Sequence, residues 1–185
     1  MPSFLSLLSA LLFISMMFTA PACLAAENII QSSEVSATPD PKIATILMVG
    51  TSALNTDLAL GNKQALIAAE VRKLLKTAGI QVYPIAIGPQ TTDAKAVVAA
   101  AVVKNSPSHV MTITIPRGEI YVKALTGTPT GGAKSYAVES EVIDAKTSAR
   151  VWKYTAEVSA TAIFGASNAD VAESLVAKMR ADGLL

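Results

Sequence analysis

Cysteine and histidine are almost absent from this chain of 185 residues, which contains one of each, Cys23 and His109. A single cysteine cannot form an internal disulfide, and one thiol with one imidazole cannot supply the four ligands of an ordinary zinc site. A Ser-His-Asp triad would have to use His109. This histidine follows loop-like residues 106–108 and precedes an apolar run. We therefore expect a solvated histidine at the start of a strand, and no metal site.

An excess of charge of one sign is also missing. The chain has 15 Lys and Arg against 14 Asp and Glu, a formal net charge of +1, and no basic run. Such a chain has no electrostatic footprint for nucleic acid, so we expect no nucleic-acid partner. We also expect no cofactor, because the glycine-rich segment 126–134 lacks the spacing of a phosphate-binding loop and lies between two predicted strands. That segment predicts a flexible loop.

Charged residues are absent from the first 26 positions, which begin with an apolar run over residues 4–18. A transmembrane helix needs roughly 20 apolar residues, and small residues follow this run at once. This order is typical of a secretory signal peptide, here residues 1–26. The alternative is a retained N-terminal anchor helix.

Cys23 lies inside this region and decides how the chain is processed. Bacterial lipoprotein signals have Leu three positions before the cysteine, then small residues; here residues 20–22 are Ala-Pro-Ala, and the proline departs from that pattern. Sites for ordinary signal peptidase end at Ala25 and Ala26. We expect cleavage there, with lipidation of Cys23 as the alternative. The predicted location is therefore periplasmic or secreted, with membrane attachment only if Cys23 is lipidated.

Periodicity divides the remaining chain into a polar tether, 27–41, and one domain, 42–185. Within the domain, strands are predicted over 42–49, 80–87, 109–115, 119–125, 135–143 and 149–161, and helices over 61–78, 94–104 and from Asn168 to Gly183. Pro84 argues that its strand lies at an edge or carries a bulge. Asp93 or Thr92 is expected to cap the second helix.

The order of these elements predicts a mixed α/β (α+β) fold. A β-α-β-α segment implies a parallel, right-handed crossover, and the four following strands form an antiparallel meander before the C-terminal helix. We expect one mixed sheet with helices covering it. In the last strand Trp152, Tyr154, Ala156 and Val158 alternate with polar residues, which is typical of a sheet with one dry and one wet side. Trp152 is therefore predicted to be buried.

A ligand crevice is the one candidate site that the sequence suggests. Ligands of α/β sheets bind beyond the carboxyl ends of parallel strands. The polar residues that follow the first two predicted strands would line such a crevice: Gly50, Thr51, Ser52, Asn55, Asp57 and Gln90. A plain strand-to-helix loop is the simpler interpretation of the same residues.

Hydrolysis at Ser52 is not expected, although its surroundings faintly resemble the nucleophile block of small secreted esterases. Thr51 replaces the Asp of that block, and no Asp-x-x-His element occurs. If the strands before Ser52 and after His109 run parallel, the two side chains lie about 20 Å apart, whereas a nucleophile and its base need roughly 3 Å. Glu139 and Glu141 are better explained as members of a salt-bridged wet face than as paired catalytic acids.

Two segments resemble parts of known envelope proteins. Residues 65–87 resemble the helix-to-strand unit of small bacterial α/β/α-sandwich proteins, and residues 136–158 resemble their hairpin, in which Asp-x-x-Thr-Gly is followed by a Trp. Asp144, Thr147 and Trp152 match, whereas Ser148 replaces the Gly. The likeness extends to the curli-secretion lipoprotein group, the penicillin-binding-protein activator lipoproteins and the N-terminal domain of the Tol-system propeller protein. It implies a non-enzymatic protein that docks on other envelope proteins.

Two functions remain open at this point. The first is an envelope accessory or scaffold protein acting by protein–protein contact, without catalysis. The second is a periplasmic small-molecule binder or hydrolase that uses the crevice of residues 50–57. An open sheet face or an exposed edge strand would favour the first, and a deep pocket with convergent polar groups the second.

Overall fold

The computed structural model describes residues 29–36, 42–51, 58–88, 90–123, 130–159 and 167–185. These residues form six strands and three helices. Their bounds are β1 (Ile29–Val35), β2 (Thr45–Thr51), α1 (Leu58–Thr77), β3 (Gln81–Ile87), α2 (Ala94–Asn105), β4 (His109–Lys123), β5 (Thr130–Asp144), β6 (Arg150–Ser159) and α3 (Asn168–Ala181).

The strands form one mixed sheet in the order β1-β6-β5-β4-β2-β3. β2 runs parallel to both β3 and β4, and the pairs β4–β5, β5–β6 and β1–β6 are antiparallel. The predicted mixed α/β fold, with its parallel crossover and antiparallel meander, is confirmed. β3 lies at one edge of the sheet, as Pro84 indicated.

Local signals explain where α1 ends and where α2 begins. α1 buries Ile67, Val71 and Leu75, which share one face at helical spacing. Gly79 follows this helix at φ 84°, the left-handed conformation that ends many helices. Asp93 caps α2, accepting a 2.9 Å hydrogen bond from the amide of Ala96.

The core lies between the sheet and one layer made of α1 and α3. Trp152 and Tyr154 of β6 are 1% and 0% exposed, and their rings stack with centroids 5.7 Å apart. The predicted burial of Trp152 is confirmed. α3 faces them with Leu175 and Met179, both fully buried. Its N-terminal cap is Ser167, which forms a capping box with Asp170, so the predicted cap at Asn168 is one residue too late.

The segment expected to be a polar tether contains β1, which corrects the sequence-based prediction. Its sequence, IIQSSEV, is half polar and gives little local indication of a strand. It becomes one because every residue from Ile29 to Val35 pairs with β6. β1 is tied to α3 as well, through Ser33 to Asp182 at 2.6 Å and through Ser174 to Gln31 at 2.6 Å.

Residues 109–123 form one long strand, although two strands and a turn were predicted there. The pairing with β5 shifts register between Thr114 and Arg117 and again between Glu119 and Ile120, but the chain does not reverse there. Gly118 makes this course feasible, because a Cβ there would lie 2.9 Å from both Leu60 and Tyr136. β5 likewise begins at Thr130, inside the segment predicted as a loop; residues 126–129 of that segment lie outside the described residues.

His109 is buried, at 5% exposed, so the prediction of a solvated histidine is wrong. Although it begins β4, that strand lies between β2 and β5, and His109 is flanked by Ile46 on one side and Asp144 on the other. Its side chain shares the core face with Met111, two residues further on. Its Nδ1 atom lies 3.0 Å from the hydroxyl of Ser108.

Candidate functional site

The candidate crevice at the carboxyl ends of β2 and β3 is described only in part. Gly50 and Thr51 pair with Ala86 and Ile87 at the carboxyl ends of the two parallel strands. The segments that follow β2 and β3 therefore begin side by side. Gln90 lies exposed in the turn after β3. The remaining predicted members, Ser52, Asn55 and Asp57, lie outside the described residues, as does Cys23.

The strand direction that separates Ser52 from His109 is as the sequence analysis assumed. β2 and β4 are parallel, and His109 pairs with Ile46 near the amino end of β2. Ser52 directly follows Thr51, the last residue of that strand. His109 therefore lies at the amino ends of these parallel strands, whereas β2 stops at their carboxyl ends.

The second face of the sheet is covered unevenly. α2 packs mainly against β2 and β3 on this side, where Leu47 and Val49 are buried. Among the described residues, no helix covers this face over β4, β5, β6 and β1, and its side chains there are at least partly exposed except for Ala137, which pairs with Glu157 and is 1% exposed. This open face is built by Ile30, Ser32, Glu34, Val110, Thr112, Thr114, Glu139, Glu141, Ile143, Val151, Lys153, Thr155 and Glu157.

Ion pairs cross the open face from strand to strand. Lys153 lies 4.0 Å from Glu139, and Arg150 lies 3.4 Å from Glu141 and 3.5 Å from Glu34. Arg117 also pairs with Glu157. The salt-bridged wet face that was preferred for Glu139 and Glu141 is confirmed. Each of these pairs is solvated and contributes little to stability, but together they leave alternating charges facing outward.

The outer edge of β1 presents free backbone groups. The amide of Ser36 donates to the carbonyl of Val151 at 2.9 Å, which shows that even-numbered residues of β1 direct their backbone groups towards β6. Residues 29, 31, 33 and 35 consequently direct theirs outward. None of these four is proline. Within the described part of the chain, no strand pairs with this edge.

The outer edge of β3, on the opposite side of the sheet, lacks one backbone donor. The amide of Gln81 donates to the carbonyl of Ala44 in the parallel pair with β2, so odd-numbered residues of β3 face β2. Residues 82, 84 and 86 then face outward. Pro84 is the middle one and has no amide hydrogen, so this edge is interrupted at its centre.

Other features that would carry chemistry are few. The described residues contain no group of three or more His, Cys, Asp and Glu side chains that could hold a metal ion. A cleft of about 390 Å³ lies between β3 and α2, lined by Tyr83, Pro84, Ile85, Ala100, Ala101, Lys104 and Asn105. It contains no acid or histidine. No helix in the described residues is long and apolar enough to cross a membrane.

The chain is thus a one-sheet α/β domain with a helical layer on one face and a partly open second face. No family model and no curated protein matches the sequence. Solved structures do match the fold. The PelC dodecamer from Paraburkholderia phytofirmans is 18% identical with a TM-score of 0.51, covering 80% of this chain and 94% of that one. A point variant of the same PelC gives 17% identity, a TM-score of 0.52 and the same coverage.

A looser likeness is to the lipoprotein GNA1162 from Neisseria meningitidis, at 16% identity and a TM-score of 0.40, covering 75% of this chain and 96% of that one. At these identities the similarity to PelC shows a shared fold and nothing more.

Proposed function

We propose that this protein is an exported cell-envelope accessory protein that works by contact with other proteins and performs no catalysis. The observation that carries the proposal is the open face of the sheet. Four neighbouring strands present solvated side chains of both charges there, with a few apolar side chains between them. Complementary charges on a partner would steer it to such a surface and fix its orientation.

Two further observations support a role in assembly. The sequence begins with features of an export signal, which implies action outside the cytoplasm. The fold is shared with PelC, whose structure is that of a dodecamer. We infer from this likeness that copies of the present chain also associate with one another.

Site-specific photocrosslinking in the native envelope tests the proposal. A photoreactive residue at Thr155, on the open face, is expected to give adducts with other protein chains. The matched control is Lys73 on α1, whose side chain is 75% exposed and lies on a helix. Adducts from Thr155 but not from Lys73 support the proposal. Absence of protein adducts from both positions would contradict it.

Export itself is tested by the intact mass of the mature protein. A mass beginning at Ala26 or Glu27, without acyl chains, supports ordinary cleavage and a free protein of the periplasm or exterior. A mass that begins at Cys23 with added acyl chains supports membrane anchoring. Because β1 begins at Ile29, an anchor on Cys23 would hold the sheet within about 20 Å of the membrane.

Binding of a small molecule at the carboxyl ends of β2 and β3 is the second candidate. It is favoured by the pairing of Thr51 with Ile87, which brings the two following segments to one edge of the sheet. A ligand captured by the wild type and lost in Gln90→Ala, together with an absence of protein adducts from Thr155, would support this candidate over the first.

A further inference from the structure

We propose that the outer edge of β1 pairs with β1 of a second copy of this chain, antiparallel and around a two-fold axis at Ser32. The proposal rests on the proposed function, a protein that works by protein–protein contact, and names one contact surface and its partner. Pairing of this kind joins two six-stranded sheets into one continuous sheet across the dimer.

The two edges of the sheet are not equivalent, and this selects β1. An incoming strand forms backbone hydrogen bonds with the outward-facing residues of an edge. On β3 the central outward residue is Pro84, which cannot donate. On β1 all four outward residues, 29, 31, 33 and 35, carry both a donor and an acceptor. A head-to-tail contact of β1 with β3 would therefore lose its middle hydrogen bond, whereas β1 with β1 would lose none.

The register follows from counting the outward groups. With the axis at Ser32, Ile29 faces Val35 of the second copy, and Gln31 faces Ser33. All four outward residues of each strand then lie in hydrogen-bonded pairs. A shift of two residues in either direction leaves at least one of them without a partner. The symmetric register is thus the one that satisfies the whole edge.

Side chains agree with this arrangement. Ile30 is 75% exposed and Val35 is 41% exposed, an unusual exposure of large apolar side chains on one short strand. In the symmetric register Val35 packs beside Ile29 of the copy, on the helix side of the sheet. Glu34, the only charged residue of β1, lies opposite Ile30 of the copy and keeps its ion pair with Arg150. No like charges meet directly across the two strands.

The strand is also held in place before it pairs. The hydroxyl of Ser33 donates to Asp182 at 2.6 Å, and Gln31 accepts from Ser174 at 2.6 Å, so two residues of the edge are fastened to α3. An ordered edge loses less conformational freedom on association than a mobile one. A seam of seven residues is nevertheless small beside the roughly 1,200 Å² of a standard interface, so we expect a weak dimer from this contact alone.

Sedimentation velocity of the purified mature protein over a wide range of concentration tests the proposal. Ser32 is exposed and faces its own copy only in the proposed register. Ser32→Lys alone and Ser32→Glu alone are each expected to weaken self-association by roughly two- to fivefold, because like charges then lie directly opposite. A mixture of the two variants should associate at least as well as the wild type. Restoration in the mixture is specific to this register.

A second pair of variants tests the backbone contact. Val35→Pro removes one outward amide hydrogen and leaves the hydrogen bonds to β6 intact. It should therefore weaken the dimerisation affinity severalfold more than Val35→Thr, which keeps the amide. Unchanged melting temperatures confirm that both variants fold. A wild type that stays monomeric at every concentration would overturn the proposal. Self-association that is equally strong for Ser32→Lys alone, Ser32→Glu alone and their mixture would also overturn it. Either result leaves the crosslinking from Thr155, and with it the proposed function, to be judged separately.

Discussion

The indole nitrogen of Trp152 donates a 2.8 Å hydrogen bond to Oδ2 of Asp182, the same atom that accepts from the hydroxyl of Ser33. Lys178 lies 3.0 Å from the other carboxylate oxygen. One side chain at the end of α3 thus joins β6, β1 and its own helix. The last turn of the chain thereby helps to hold the edge strand that the sequence analysis had assigned to a tether.

Trp152→Ala should lower the free energy of unfolding by about 3–5 kcal/mol, because it removes a large buried aromatic ring and its stacking on Tyr154. Urea denaturation measures this loss. Val103→Ala on α2, where the side chain is 81% exposed, is the control and should change stability little. A Trp152→Ala variant that unfolds like the parent would contradict the position of Trp152 in the core.

Acid should weaken the fold partly through Asp182. Burial by itself would raise its pKa, but hydrogen bonds from Ser33, Trp152 and Lys178, together with the charge of Lys178, lower it. A carboxyl group whose pKa is lower in the folded state contributes stability that is present above its unfolded pKa, about 3.9, and is lost as the pH falls through the folded value. The loss therefore begins near pH 4 and continues below it.

Asp182→Asn removes this titration, so its stability should fall less steeply with pH below about 4 than that of the wild type. The variant should also be less stable at neutral pH. Glu173→Gln, on the exposed side of α3, is the control. Part of the acid loss should persist, because hydrogen bonds from Thr147 also lower the pKa of Asp144. Identical pH profiles for Asp182→Asn and the wild type would contradict the assignment.

Ser148→Gly should stabilise the protein by about 1 kcal/mol. Ser148 has a φ of 58° in the turn between β5 and β6, a left-handed conformation that costs a residue with a Cβ about that much. The rest of the turn is well satisfied, since Asp144 accepts hydrogen bonds from the amides of Lys146 and Thr147. Ser148→Ala tests the cause, because it keeps the Cβ and should show no gain in thermal melting.

Gly118→Ala should destabilise the fold by about 1–3 kcal/mol, since the new methyl group would lie 2.9 Å from Leu60 and Tyr136. Gly61→Ala is the matched control. It makes the same chemical change inside α1, where nothing lies within 4 Å, and should be neutral or stabilising by up to about 1 kcal/mol. Thermal denaturation of the two variants compares them directly, and equal shifts would show that close packing at Gly118 is not the cause.

Removal of two buried tyrosine hydroxyls should have different effects. In the described part of the chain the hydroxyl of Tyr136 has no hydrogen-bond partner, and burial is the main reason that its pKa is raised to about 12. Tyr136→Phe should therefore be neutral or stabilising. The hydroxyl of Tyr154 lies 3.2 Å from that of Ser174, so Tyr154→Phe should cost about 1 kcal/mol. Chemical denaturation distinguishes the two, and the reverse order would be inconsistent with these contacts.

Several parts of the fold were predictable because short segments determine them. The alternation in β6 places Trp152 on the buried face, the spacing in α1 selects its buried side, and Asp93 caps α2 next to it in the chain. The Asp144–Thr147 turn is also local, and it identifies the hairpin whatever surrounds it. In each case the deciding interactions join residues that are near one another in sequence.

The candidate site was predictable to a smaller degree. The parallel strands brought Gly50 and Thr51 to the expected edge of the sheet. The open face was partly predicted, since Glu139 and Glu141 were expected on a salt-bridged wet side. That α2 packs mainly on β2 and β3 could not be seen in the sequence, because it depends on how the crossover places this helix.

By itself, the sequence determined the positions of most helices and strands and which face of β6 is apolar, because periodicity and capping act within one element. Only the tertiary structure decided that residues 29–35 are a strand and that His109 is buried. Both depend on partners that are distant in the chain. β1 forms because β6 provides an edge for it, and His109 lies on the core face of an interior strand, between β2 and β5.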